Sequence, residues 1–449
     1  MARRGQVRGV PGQLHKARLL RRAALGLLVP AASLVGLAHA GATSTAAALR
    51  LPYGLSVANP AALAGHGDLA FISQGKLLVM AGGSGKIRGL GELSGLNLPP
   101  QFSPDGKWLA YDLGTGSEWL ARADGADPHQ VAREGVPQWL PGNFLKVGDT
   151  LWSISPTGAL QPTGSAPALT AWSTDGKEYV FLETGPTTKT GTKSTTPWRL
   201  EVASSLHGSR TTWYSTKVTV GPNGASGNYI TNVFVIPGHK GLLVEVDPGL
   251  ADDADGSPVY EVAAPGAPLV KLATMLAPQA GGTVTFGPNG TLALGAGLDR
   301  YAWMTKSVLL CDATTEHCKV LVVPKGTLSI DPAWSPSGRA LAFVEAPSSN
   351  IGNFFPGTVT RWYGTHRLFL LDTATSAPVE VAGTQGASVP VWSRSGRSLL
   401  YVSGNGLWLL PALDSKPVEV VAPLFAPPWP TYYGQVDWSD EFAWSAAQP

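Results

Sequence analysis

Cysteine, charge, long apolar runs and the familiar hydrolase motifs are all scarce or missing in this chain of 449 residues. Two cysteines, Cys311 and Cys318, supply too few ligands for a structural zinc site. Charged residues make up 14%, against about a quarter in an ordinary soluble domain, so the surface is neutral-polar rather than ionic. After residue 40 no apolar stretch approaches the ~18 residues that a membrane-spanning helix needs. Neither a Gly-x-Ser-x-Gly elbow nor a His-Glu-x-x-His pair occurs, which removes the chemistry those spacings carry. Turn formers are abundant instead. The 54 glycines and 37 prolines, about a fifth of the chain, exclude a mainly helical protein. At 44% apolar the sequence is no disordered chain either.

The near-balance of 33 basic and 31 acidic residues hides an uneven distribution. Residues 1–40 hold seven Lys or Arg and no acid, which leaves a body with 26 basic and 31 acidic side chains, net −5. Such a body does not attract nucleic acid. The basic stretch leads into the apolar run 23–37 and then Ala38-His39-Ala40, the small-x-small pattern of a signal peptidase site. The expectation is a signal peptide over 1–40 on an exported, secreted or envelope-facing chain, with an uncleaved N-terminal anchor as the alternative. Arg21-Arg22 leaves both general and twin-arginine export open. Residues 41–59 read as a linker and 60–449 as one folded domain. The cysteines lie between β-like runs at 307–310 and 319–323. In an oxidising compartment a pair across a hairpin reads as a disulfide, with free thiols as the alternative.

One short pattern recurs through the body: an aromatic and a Ser or Gly, two residues, a Gly, a polar residue and an apolar strand. It reads Gln101-Phe102-Ser103-Pro104-Asp105-Gly106-Lys107 before Trp108-Leu109-Ala110-Tyr111, and Ala171-Trp172-Ser173-Thr174-Asp175-Gly176-Lys177 before Tyr179-Val180-Phe181. Further copies start at Thr285-Phe286-Gly287, Ala333-Trp334-Ser335 and Val391-Trp392-Ser393. Weaker ones contain Trp139 and Phe234, and a last copy is assigned to Val436-Asp437-Trp438-Ser439-Asp440-Glu441. Three more short strands follow each copy, with Gly, Pro, Asn and Asp between them. Asp-Gly or Asn-Gly makes the tight turn, Gly taking positive φ, and the aromatic is expected to wedge between neighbouring units.

This pattern resembles the TolB-type, WD40-like β-propeller repeat, over residues 60–446. The resemblance implies the fold and not the activity, since the family includes periplasmic scaffolds, peptidase-attached domains and free binding modules. Repeated four-stranded units themselves point to an all-β propeller. Seven internal copies and one composite give eight blades. Seven is the alternative if the compact unit 136–163 or the weak unit 229–273 is not a full blade. The composite arises because 66–91 hold three strand-like runs without an aromatic-Ser strand, which residues 435–442 would supply. That closes the ring and removes sheet edges.

Turns from first to second and from third to fourth strands lie on one face of a propeller; the other turns lie opposite. The first class is short, whereas the insertions 184–197, 216–227, 295–306, 346–366 and 423–434 all belong to the second. Long loops on a rigid scaffold are where function sits. Three are aromatic: Arg300, Tyr301 and Trp303; Phe354, Phe355, Arg361, Trp362 and Tyr363; Trp429, Tyr432 and Tyr433. These are the candidate ligand-binding residues, and packing on one another over the ring mouth is the structural alternative. The stretch 184–197 is polar and reads as a flexible loop. Scattered histidines, among them His66, His239 and His366, read as surface residues. Asp253 and Asp255 in Asp252-Asp253-Ala254-Asp255-Gly256 form a weak calcium candidate. Gly82-Gly83-Ser84-Gly85-Lys86 lacks P-loop spacing and reads as a hairpin turn. No cofactor is expected. Function is read as binding of a protein or envelope glycan through the long-loop face. The alternative is a glycan hydrolase or lyase at the ring mouth, where Glu345 and Asp299 are carboxylate candidates.

Overall fold

The structure, a computed structural model, describes residues 51–446 except 95–98, 115, 133–134, 223, 248–256, 275–283, 298–300, 316, 350–355, 376, 425–433, 435 and 437. It is an all-β propeller of eight four-stranded blades. Seven blades are antiparallel meanders in chain order, with innermost strands Gln101–Phe102, Pro137–Leu140, Leu169–Trp172, Tyr229–Val235, Val284–Phe286, Thr327–Trp334 and Ala387–Trp392. The compact and the weak unit are both full blades: Pro137–Leu140 to Leu160–Ser165, and Tyr229–Val235 to Val270–Thr274. Blades are numbered here from the composite one, so these two are blades 3 and 5.

The recurring motif builds its turns by side-chain capture of backbone N–H groups. Ser103 Oγ accepts from the amides of Lys107 (3.1 Å) and Trp108 (3.0 Å) and donates to Asp105 Oδ1 at 2.6 Å. Ser173 repeats this with Lys177, Glu178 and Asp175. Where Asp is replaced, the hydroxyls of Ser337 and Ser395 take its place beside Ser335 and Ser393, at 3.4 and 3.1 Å. A hydroxyl serves because the turn needs a short polar group at that point, not a charge. Gly106, Gly176, Gly338 and Gly396 sit at φ between 66° and 71°, where a Cβ is disfavoured.

The aromatics are inter-blade wedges, as expected. Trp139 packs with Trp108 and Leu120 of the preceding blade, and its indole N–H donates to Gln101 O at 3.0 Å. Trp392 packs against Ala342 and Leu368 and donates to Ala333 O at 2.9 Å. Trp139 and Trp392 thus each bury apolar area and carry one hydrogen bond between blades.

Closure differs in register from expectation. The strand supplied by the C-terminal segment is Phe442–Trp444, pairing antiparallel with Leu69–Ser73 through Leu69↔Trp444 and Phe71↔Phe442. Trp438–Asp440 is a short 3-10 turn, not the strand. The true last copy is Ala443-Trp444-Ser445, and its serine explains why: Ser445 Oγ accepts from the Asp68 amide at 2.6 Å, while Ser445 N donates to Asp68 O at 2.9 Å. The motif's turn is reproduced between residues 377 apart in sequence. A second clasp was not foreseen. Val57–Ala58 adds an outer fifth strand to the last blade, against Val418–Ala422, and Leu55, Leu63, Phe71, Val420, Phe442 and Trp444 share one buried cluster there.

Candidate binding face

The two ends of the ring differ. The face of first-to-second and third-to-fourth turns carries the tight serine turns. The opposite face is built up over blades 4, 6 and 7. Blade 4 has 11-residue third and fourth strands, Lys193–Ala203 and Thr211–Gly221. Their outer halves extend past the end of Tyr179–Thr184 and recruit two short strands, Thr188–Thr190 and Gly224–Ser226. The polar stretch 184–197 is therefore largely strand and not a flexible loop. β-Branched threonines favour extended backbone, and every rung finds a partner, as in Thr188↔Thr195 and Thr195↔Thr219. Blade 7 inserts helix α1, Pro356–Tyr363, between its second and third strands. Blade 6 contributes Tyr301 to Lys306.

These last two insertions meet. Trp303 and Trp362 are 1% and 5% exposed and pack edge-to-face at 6.3 Å, with Leu328, Ile330, Val344 and Val359 around them. Tyr301 stacks on Trp303 at 5.2 Å, and Tyr363 meets Trp362 at 5.1 Å. Trp362 donates to Pro347 O and Tyr363 to Gly434 O. Gly434, at φ 86°, lies so close to the Trp303 ring that a Cβ would sit 2.2 Å from it. Of the two arrangements left open for these aromatics, mutual packing is the one present at Trp303 and Trp362. Arg361 on α1 is exposed. Arg300, Phe354, Phe355, Trp429, Tyr432 and Tyr433 lie outside the described residues, as do Asp299, the calcium candidates Asp253 and Asp255, and the leader 1–40.

Polar groups that sequence reasoning missed lie beneath this cluster. Lys306 is buried and donates to Tyr301 O and Met304 O at 2.8 and 2.7 Å, fixing the blade 6 loop. Asp331 accepts from the Val389 amide at 2.9 Å, and burial raises its pKa to about 6. Asp331 and Val389 have φ of 50° and 49° at bulges in the innermost strands of blades 7 and 8, a conformation that costs a β-branched residue about 1–3 kcal/mol. His366 is fully buried, contrary to the surface reading. Its Nδ1 lies 3.2 Å from Ala387 O, Trp362 stands edge-on at 4.4 Å, and burial lowers its pKa to about 3. No sequence signal marks these positions, because bulge geometry and burial arise only when blades meet.

The cavity among Lys306, Asp331, Trp362, Ser388 and Trp438 holds about 30 Å³, near one water's share of the liquid. A larger cavity of about 520 Å³ opens at the tight-turn end of the channel, lined by Phe102, Trp139, Trp172, Phe442 and Trp444, with Arg394 at its edge. Glu345 lies on the second strand of blade 7, where burial and then Glu380 raise its pKa. Among the described residues no group of three or more His, Cys, Asp or Glu could hold a metal ion, and no helix is long and apolar enough to cross a membrane. Cys311 and Cys318 are directly opposed on adjacent strands and form a disulfide.

No protein-family profile matches the chain, and no curated protein matches it. Solved structures resemble it at low sequence identity. TolB from Acinetobacter baumannii is 13% identical with a TM-score of 0.34, covering 80% of this chain, which in turn spans 64% of TolB. An oligogalacturonate lyase from Vibrio parahaemolyticus is 10% identical, TM-score 0.41, over 79% of this chain and 96% of its own. The β-propeller domain of the Trilobed protease from Pyrococcus furiosus is 10% identical, TM-score 0.37, over 70% and 92%. The architecture of the chain rests on its own strand order.

Proposed function

We propose that the chain is an exported, non-catalytic β-propeller that binds a protein or envelope ligand through its long-loop face. The observation that carries this is the asymmetry of the ring: tight repeated turns on one face, and on the other a crown made of the blade 4 extension, α1 and the blade 6 loop. The Cys311–Cys318 disulfide fits an oxidising compartment. Within the crown, Tyr301, Arg361 and Tyr363 are the described candidates for direct contact. Trp303 and Trp362 act as the support that holds α1 in place. Arg300, Phe354, Phe355, Trp429, Tyr432 and Tyr433 belong to the same loops by sequence.

The test compares faces. Immobilised wild type, Arg361→Glu on the crown, and a Lys107→Glu/Lys177→Glu pair on the tight-turn face are each offered an envelope extract. The expected outcome is a captured species lost at least tenfold with Arg361→Glu and retained with the lysine pair. Loss with the lysine pair and retention with Arg361→Glu would place recognition on the wrong face and overturn the proposal.

A further inference from the structure

The blade 4 extension stands apart from the rest of the crown in chemistry. Across its four strands the residues Thr188, Thr195, Thr219 and Ser226 are directly opposed, so their hydroxyls form one row on one side of the sheet. Strand spacing sets the rungs about 4.8 Å apart, comparable with the rise of an extended pyranose chain. Alternation puts Thr190, Lys193 and Lys217 on that same side, and Lys193 lies along Gly221, whose Cβ would meet its stem at 3.3 Å. The other side is committed to the fold: Val218 is 4% exposed against Ile230 and Val233 of blade 5. Blade 3 joins its own second and third strands by the short turn between Val147 and Thr150 and carries no comparable extension. Thr188, Thr190, Lys193, Lys217 and Ser226 are exposed.

Charge gives the surface its direction. From Val202 to Val244 the sequence has no Asp or Glu, nor has it any from Thr184 to Leu200, although the body beyond residue 40 is net acidic. Lys193 and Lys217 sit at opposite corners of the hydroxyl row with no acid among the exposed residues beside them. A row of groups that both donate and accept, framed by cations and without an aromatic platform, suits a chain of hydroxyls carrying negative charge. A neutral sugar would leave the lysines unused, and an apolar partner would leave the lysines and the outer hydroxyls of Thr188 and Ser226 unmatched; Thr195 Oγ1 and Thr219 Oγ1 already lie 2.9 Å apart and keep lone pairs for a ligand's donors. We propose that this side of the blade 4 extension docks an acidic polysaccharide. The inference rests on the crown being the recognising face and names one class of ligand for it.

The full chain is run through native gels containing alginate, dextran or neither, at low and at physiological salt, with single-stranded DNA as a competing polyanion. Alginate is expected to retard the protein, dextran not, and the retardation to weaken with salt. Lys193→Gln/Lys217→Gln should weaken alginate binding about five- to tenfold, the sum of two exposed ion pairs. Thr195→Val/Thr219→Val keeps strand propensity and should also weaken alginate while leaving any DNA retention unchanged. Equal retardation by alginate and dextran, equal competition by DNA, or indifference to both double variants with an unchanged unfolding midpoint each overturns the proposal. Should that happen while Arg361→Glu still abolishes partner capture, the crown remains the binding face and only the polysaccharide assignment falls.

Discussion

Ser445 shows how much of the ring depends on a single hydroxyl. It performs for blade 1 what Ser103 and Ser173 perform within their own turns, but its partner Asp68 comes from the other end of the chain. Ser445→Ala leaves the half-buried Asp68 amide without its acceptor and should cost about 1 kcal/mol by urea denaturation. Ser103→Ala should cost a similar amount, and a negligible effect at both would show that the turns are held by backbone alone. Charge in the motif matters less. Asp175 has its pKa lowered to about 2 by Lys177 and then Ser173, but it is exposed. Burial matters more at Glu118, which faces Asp112 across a strand pair and has its pKa raised to about 8 by desolvation and then by Asp112. A raised carboxylate pKa means that the folded chain holds a proton the unfolded chain releases. Folding is therefore unpenalised below the unfolded value near 4.5, and stability is lost as pH rises from there to about 8. Glu118→Gln should raise the melting temperature by several degrees at pH 8 and change it little at pH 4. An equal shift at both pH values would assign the effect to packing.

At the level of elements, the sequence and the structure part company where pairing overrides composition. The inner aromatics were legible because Phe102, Trp172, Trp334 and Trp392 sit at a fixed offset from a Gly that must take positive φ, a local requirement that sequence displays directly. The blade 4 extension was not. Its Thr, Lys and Gly content matches that of a loop, and what makes it sheet is a partner about 25 residues away, as in Thr195 Oγ1 to Thr219 Oγ1 at 2.9 Å. The last repeat was misplaced for a related reason. Trp438-Ser439 and Trp444-Ser445 are both aromatic-serine pairs, and only the position of Asp68 across the closure decides between them. The same limit applies to the candidate site. Tyr301, Trp303, Trp362 and Tyr363 were found as aromatic loops and are brought together. Lys306, Asp331 and His366 gave no sign because burial, not residue type, makes them distinctive.

At the level of the whole molecule, a ring of eight blades has one weak joint, and here the joint is doubled. The inner clasp, Phe442–Trp444, buries Phe442 to 6% and Trp444 to 3% exposure, pairs three residues with Leu69–Ser73 and carries the Ser445 hydrogen bonds. A buried Phe alone contributes about 1.5–3 kcal/mol, so the strand as a whole outweighs the outer clasp, where Val57 and Ala58 are only half-buried. The outer strand pairs two residues with Val418–Ala422, and Ser56 and Asn59 donate to Ala422 O and Val420 O. These strengths predict unequal truncations. Deleting 1–59 should lower the urea midpoint while leaving one cooperative transition by tryptophan fluorescence and circular dichroism. Deleting 442–449 exposes the edge strand Leu69–Ser73, which is buried along its whole length, and an unpaired apolar edge invites association. That variant should lose the single transition, with blade 1 unfolding before the rest, and should self-associate in size-exclusion chromatography. Two truncations with matching midpoints and a monomeric profile would mean that the ring is held by inter-blade tryptophans and not by its closure, and the doubled clasp would then have no mechanical role.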